Sequence, residues 1–166
     1  DLRAWTKDQI YREAQKAYYE VWQQRLALGA EPVSRLAEYL RANDYPPGIR
    51  GTLRDALSYL YVELLADTTL WQPQESSELY RLDLKSLVAG NQPPSGAETP
   101  QLLESALHPL VKIGLVLDDL EAWHKEHQRA EAALEARLER LERLHASFAD
   151  PRDRAVILAS LEKTLA

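Results

Sequence analysis

The 166-residue chain has no cysteine, which excludes disulfides, thiolate metal sites and cysteine nucleophiles together. It has no methionine either, not even at position 1, so a processed product or a piece cut from a longer protein is expected. Six glycines leave little room for a Gly-rich loop that would cradle phosphate ahead of a helix. No signal-peptide pattern and no long apolar run is present, so no insertion into a membrane is expected. Basic residues are not in excess: the net charge of −6 argues against sequence-independent nucleic-acid binding, which needs Lys and Arg to replace counterions. No stretch alternates apolar and polar residues with β-branched enrichment, so no sheet is expected.

What is present is helical. With 45% hydrophobic and 28% charged residues the chain can bury a core. Thr6 and Gln9 form a capping box ahead of Ile10, Ala14, Ala17, Val21 and Leu28 at helical spacing, with Gly29 as the stop. Pro32 opens a second predicted helix whose buried side is Leu36, Tyr39 and Leu40, and "NDYPPGIRG" ends it. Thr52 and Asp55 open a third, "TLRDALSYLYVELLA", apolar on most of its circumference and therefore central. Two shorter pieces follow, one beginning near Pro73 and one ending at Gly90. A short helix begins at Thr99 and Pro100. A hairpin of two long helices then runs from Pro109 to Phe148, with its turn near Gln128, and a last helix starts at Asp150 and Pro151. The expected fold is all-α, an irregular bundle or solenoid-like array of seven to eight helices. Residues 1–90 and 101–166 form two helical parts around a linker at 91–100. No second copy of the hairpin occurs at a fixed period of about 34 residues, so a true repeat array is not expected.

The hairpin contains two Glu-x-x-His pairs, Glu121 with His124 and Glu142 with His145. Residues three apart share a helical face, and a di-iron bundle uses two such pairs plus a Glu from each of two further helices. Register argues against it. A turn at Gln128 sets residue k opposite roughly 256 − k, so Glu121 faces Glu135 and Glu142 faces Gly114. The pairs are then offset by about seven residues, roughly 10 Å at the α-helical rise, whereas bridged metals lie about 3.5–4 Å apart. His124 and His127 instead continue the stripe Leu110, Ile113, Leu117, Leu120, and His145 falls within Leu134, Leu138, Leu141, Phe148; they read as packing histidines.

Other chemistry is equally thin. Glu135 and Glu139 interleaved with Arg137, Arg140 and Arg143 read as a solvated, salt-bridged face. Ser58, Ser76 and Ser77 lack any activating context, and Asp118 and Asp119 are adjacent, so they point to different faces and form no acid–base couple. The aromatics Trp5, Tyr11, Tyr18, Tyr19 and Trp22, with Tyr59, Tyr61 and Trp71 further on, read as core or an interdomain contact; a peptide groove is the alternative. No catalytic, cofactor-binding or metal-ligating residue is assigned, and no enzyme activity or cofactor is expected.

The segments "GIRGTLRDALSYLYVELLADTTLWQPQESSELYRLDL" (48–84) and "HPLVKIGLVLDDLEAWHKEHQRAEAALEARLERLERLHASF" (108–148), with the opening "AWTKDQIYREAQKAYYEVW", resemble the N-terminal helical region of large bacterial alpha-2-macroglobulin-like proteins. That resemblance rests on texture such as "RGTLRDA", "LLADT" and "YRLDL", and it covers most of the chain outside 91–100. It implies an envelope-associated protease inhibitor as the parent protein, in the periplasm or cell envelope. The family's reactive thioester, Cys-x-Glu-Gln, needs a cysteine this chain lacks, and its β-sandwich domains need strands, so no functional residue carries over. The expected role is a non-catalytic scaffolding or protein-binding module, its partner a neighbouring domain or an envelope protein. A free-standing tetratricopeptide-like adaptor, with a groove lined by Tyr and Arg, is one alternative, and a helical carboxylate/His metalloprotein another; a cytoplasmic location is the alternative to the envelope.

Overall fold

Capping chemistry fixes where the main helices begin. A computed structural model describes residues 4–90 and 100–165. Among them α1 spans Lys7–Trp22 and α3 Leu53–Ala66, each opened by a reciprocal capping box, Thr6 with Gln9 and Thr52 with Asp55. Between these lies the short α2, Arg25–Leu28, and after them α4, Pro73–Ser77, and α5, Leu84–Ala89. The long hairpin is α6, Pro109–Glu126, and α7, Ala130–Ser147, with Gln128 in the left-handed region (φ 57°) at the turn. Helix α8 is Pro151–Leu165, and the Asp150 side chain accepts a hydrogen bond from the Arg152 N–H at its start. Four 3-10 turns link these helices. The described residues contain no strand, only one isolated bridge between Pro32 and Thr52. The fold is all-α, as expected. The proposed linker, 91–100, lies outside the described residues except for Pro100.

Helix α6 is the organising element, lying against α7 and α3, while α1 closes the other side of α3 and α8 packs on α5 and α7. The main apolar cluster draws on both halves of the chain. Tyr19, Trp22, Tyr61, Val62, Leu65 and Val88 meet Leu110, Ile113, Leu117, Leu141, Leu144 and Ile157 within it.

Two local expectations are corrected. The first helix does not run unbroken to Leu28. It ends at Trp22 and restarts at Arg25, a break that turns the Arg25 side chain into the interior. The second predicted helix is only a 3-10 turn, Val33–Leu36. Its backbone is diverted instead: the Val33 N–H donates to Gly51 O and the Leu53 N–H to Glu31 O. Leu36 and Tyr39, predicted to be buried, are 39% and 82% exposed.

The structure also shows which face of α1 turns inward. Two sets at helical spacing compete there, Ile10/Ala14/Ala17/Val21 and Tyr11/Tyr18/Tyr19/Trp22. The aromatic set wins, because its larger area removes more apolar surface from water and Tyr18 stacks on Tyr61 with centroids 5.5 Å apart. Tyr11, Tyr19 and Trp22 are buried, whereas Ile10 and Val21 remain 50% and 46% exposed.

Candidate functional site

The densest concentration of ionisable side chains lies inside the protein, where α2, α3, α6 and α7 converge. Asp119 of α6 stands at its centre. Both its oxygens accept from Arg25 Nε, at 3.0 and 3.1 Å, and one also accepts from Arg54 Nη2 at 2.6 Å. All three residues are at least nine-tenths buried. The guanidiniums also lie on aromatic faces, Arg25 at 3.8 Å from the Trp22 ring centre and Arg54 at 4.5 Å from that of Trp123. Burial pulls the Arg54 guanidinium below its usual value, and the charge and hydrogen bond of Asp119, with a smaller push from the Asp55 charge, oppose that pull. Helix α2 can come this close because residue 29 is glycine. A Cβ there would stand 2.4 Å from the Trp123 ring.

Beside this triad, the His124 ring contacts Asp55 through Nε2 at 2.7 Å, both side chains being 1% exposed. Burial raises the Asp55 carboxyl, but the hydrogen bond and charge of His124 and two bonds from Thr52 outweigh it and hold the group below the usual carboxylate range. The same carboxylate closes the α3 capping box, so the cap and the dyad share one residue. Ser58, one turn further on, is fully buried and its hydroxyl has no hydrogen-bond partner among the described residues.

One helical turn away, Arg140 of α7 bridges Asp118 and Glu121, the latter at 3.2 Å, and Glu121 also accepts from Lys125 at 2.5 Å. Burial lowers the Arg140 guanidinium to about 10. Gly90 ends α5 with φ 73° directly over this pair. A Cβ there would meet Asp118 Oδ1 at 2.8 Å and Arg140 Nη1 at 2.9 Å. At the outer edge, Arg50 bonds Glu135 at 2.7 Å and Glu139 at 2.8 Å while its guanidinium covers Tyr59 at 3.6 Å. This clamp holds the loop before α3 onto α7, and with it the left-handed backbone of Arg50 (φ 51°), a conformation that costs a non-glycine residue about 1–2 kcal/mol.

The arrangement separates the two Glu-x-x-His pairs. Glu121 and His124 are buried and committed to Arg140, Lys125 and Asp55, while Glu142 is exposed and His145 lines a groove between α7 and α8. Among the described residues no group of three His, Asp or Glu side chains converges as a metal site. Hairpin register lies a few residues from the estimate, since Arg140 reaches both Asp118 and Glu121. His127 is exposed rather than packed, its Nδ1 against Trp123 O at 2.8 Å. The supposedly solvated face of α7 is corrected too: Glu139 and Arg140 are 8% and 2% exposed, and Leu134 and Leu138 only half-buried. That face lies inward because α7's alanines, Ala132, Ala133 and Ala136, let it approach α6 closely, and the charges at 139 and 140 find partners there. One signal pointed to this burial. Helix α6 is apolar on most sides, so Asp118, Asp119, Glu121 and His124 had to meet partners in the interior.

Chemically, the cluster is a set of paired charges, buried at its centre and reaching the surface at Lys125 and Arg50, an electrostatic lock between helices. The clefts lie elsewhere. One of about 650 Å³ separates the loop Pro47–Thr52 from the start of α7 and is lined by Gly48, Ile49, Gln128, Arg129 and Glu131, with no tyrosine. Another of about 340 Å³, between α7 and α8, is apolar, formed by Leu138, Leu141, Ile157, Leu158 and Leu161 around His145. A third of about 360 Å³ lies between α1, α4 and α6 and contains Lys112. No family model matches the chain, and no curated protein or solved structure is significantly similar to it. No helix among the described residues is long and apolar enough to cross a membrane.

Proposed function

We propose that this chain is a non-catalytic scaffolding and protein-binding module, an N-terminal accessory domain of a bacterial alpha-2-macroglobulin-like protease inhibitor of the periplasm or cell envelope. The observation that carries the binding role is the second apolar face of α1. Ile10 and Val21, with Ala17 between them, stand exposed beside a helix face already used for the core, and Leu26 of α2 is 57% exposed nearby. A helix with apolar residues on two sides serves its own core with one and offers the other as contact surface. The buried ion pairs support the scaffolding role, since they tie α2, α3, α6 and α7 together and α1 packs on α3. Membership of the inhibitor family rests on the sequence resemblance alone.

Two measurements test the proposal separately. The polypeptide encoded beyond Ala166 is expected to continue into β-sandwich domains with a bait segment, and termination soon after Ala166 sinks the family assignment. In a polypeptide carrying this domain and its neighbour, Ile10→Lys with Val21→Lys is expected to abolish crosslinks between α1 and that neighbour. The melting temperature of the isolated domain should stay within about 2 °C, as for most surface substitutions. Crosslinks that survive both charges remove α1 from the contact.

A further inference from the structure

Of the six lysines in the sequence, five are exposed and one is not. Lys112, on the second turn of α6, is 5% exposed, makes no ion pair among the described residues, and donates one hydrogen bond, to Gln15 Oε1 at 3.2 Å. An ammonium has three donors, so this one is poorly satisfied as a cation. It nevertheless lines a solvent-open cleft of about 360 Å³ with Tyr11, Arg12, Gln15 and Lys16 of α1, Glu75 of α4 and Ser105. The Tyr11 hydroxyl, also buried, has no hydrogen-bond partner among the described residues. Burial lowers the Lys112 amine below its ordinary value, against the opposing charges of Glu75 and Glu104; Glu13 is the other acid of the cleft. Burial of a lysine without a partner carboxylate favours the free amine, which is the nucleophile.

We propose that Lys112 is a carbonyl-reactive lysine that condenses with a small aldehyde carrying an anionic group, which Arg12 and Lys16 in the cleft lining would attract. The nitrogen lone pair attacks the aldehyde carbon and a C–N bond forms. The proton lost from nitrogen passes to the carbonyl oxygen, giving a carbinolamine. That hydroxyl then leaves with the second N–H proton as water, and the product is an imine. Nothing is oxidised or reduced. This site is independent of the docking face on α1.

Glyoxylate, an aldehyde with a carboxylate, tests it on the native 166-residue chain. Cyanoborohydride adds hydride to the imine and fixes it as carboxymethyl-lysine, which peptide mass mapping locates. At pH 7 Lys112 is expected to label several-fold faster than the exposed Lys7, Lys16, Lys85, Lys125 and Lys163. The preference should vanish in urea. Formaldehyde, which has no anionic group, serves as the second arm: Arg12→Gln with Lys16→Gln should slow glyoxylate several-fold and formaldehyde little. Labelling of Lys112 no faster than the exposed lysines overturns the proposal, as does a preference that persists in urea. Equal slowing of both aldehydes by the double variant overturns the anionic part of it.

Discussion

Replacing Asp119 by Asn tests whether the internal charges hold the helices together. The side chain keeps its shape and loses its charge, leaving Arg25 and Arg54 facing a neutral amide. Arg54 is 0% exposed, its Nε and Nη1 have no hydrogen-bond partner, and Asp119 supplies its only ion pair among the described residues. Breaking one side of a buried pair costs about 3–5 kcal/mol, because the cation left behind is desolvated and uncompensated. For a chain of this length each kcal/mol moves the melting temperature by about 2–4 °C, so a fall of about 6–20 °C is expected. Circular dichroism melts at pH 7 measure it. The triple variant Arg25→Met, Arg54→Met, Asp119→Leu removes every charge at once and is expected to recover most of the loss, since apolar replacement of a buried ionic group is often neutral or stabilising. An Asp119→Asn protein that melts within about 2 °C of the parent would refute the reasoning, because the guanidiniums would then be solvated.

Other perturbations follow from the same geometry. The Asp55 carboxyl titrates below its unfolded value, so its contribution is present above the unfolded carboxylate pKa of about 3.9 and disappears as pH falls through the lower folded value. Urea melts should therefore show Asp55→Asn clearly less stable than the parent at pH 7, with the gap narrowing as the pH falls below about 4; a gap independent of pH contradicts the shift. Gly29→Ala sets a methyl 2.4 Å from the Trp123 ring and should cost about 1–3 kcal/mol by denaturant unfolding, although glycine-to-alanine changes often stabilise where space permits. Dialysis against a strong chelator is expected to leave the melting curve unchanged, since Glu121 and His124 already have internal partners; a drop of several degrees would reopen the metal reading.

Local signals in the sequence were reliable where local chemistry decides the outcome. Thr6 with Gln9, Thr52 with Asp55 and Pro109 mark true helix starts, and the hairpin turns at Gln128. Such features depend on residues three or four apart. The orientation of α1 was not legible, because aliphatic and aromatic sets both recur at helical spacing and only the shape of the surrounding core chooses between them. Nor was the charge cluster. Arg25 and Asp119 are 94 positions apart, Asp55 and His124 69, so no spacing rule connects them. The Glu/Arg pattern on α7 misled for a related reason: a solvated face and a face buried against matching charges share the same composition.

These long-range pairs also constrain how the molecule can assemble. As the chain leaves the ribosome, Arg25, Arg54 and Asp55 emerge before any of α6, and Asp119 and His124 come more than sixty residues behind Arg54 and Asp55. Until then the pairs of Arg25 and Arg54 with Asp119, and of Asp55 with His124, cannot form, so α2 and the start of α3 lack their ties to α6. Collapse of the first ninety residues therefore waits for the second half. A fragment ending before α6 should remain open, and adding the two halves in trans should restore helicity that neither has alone.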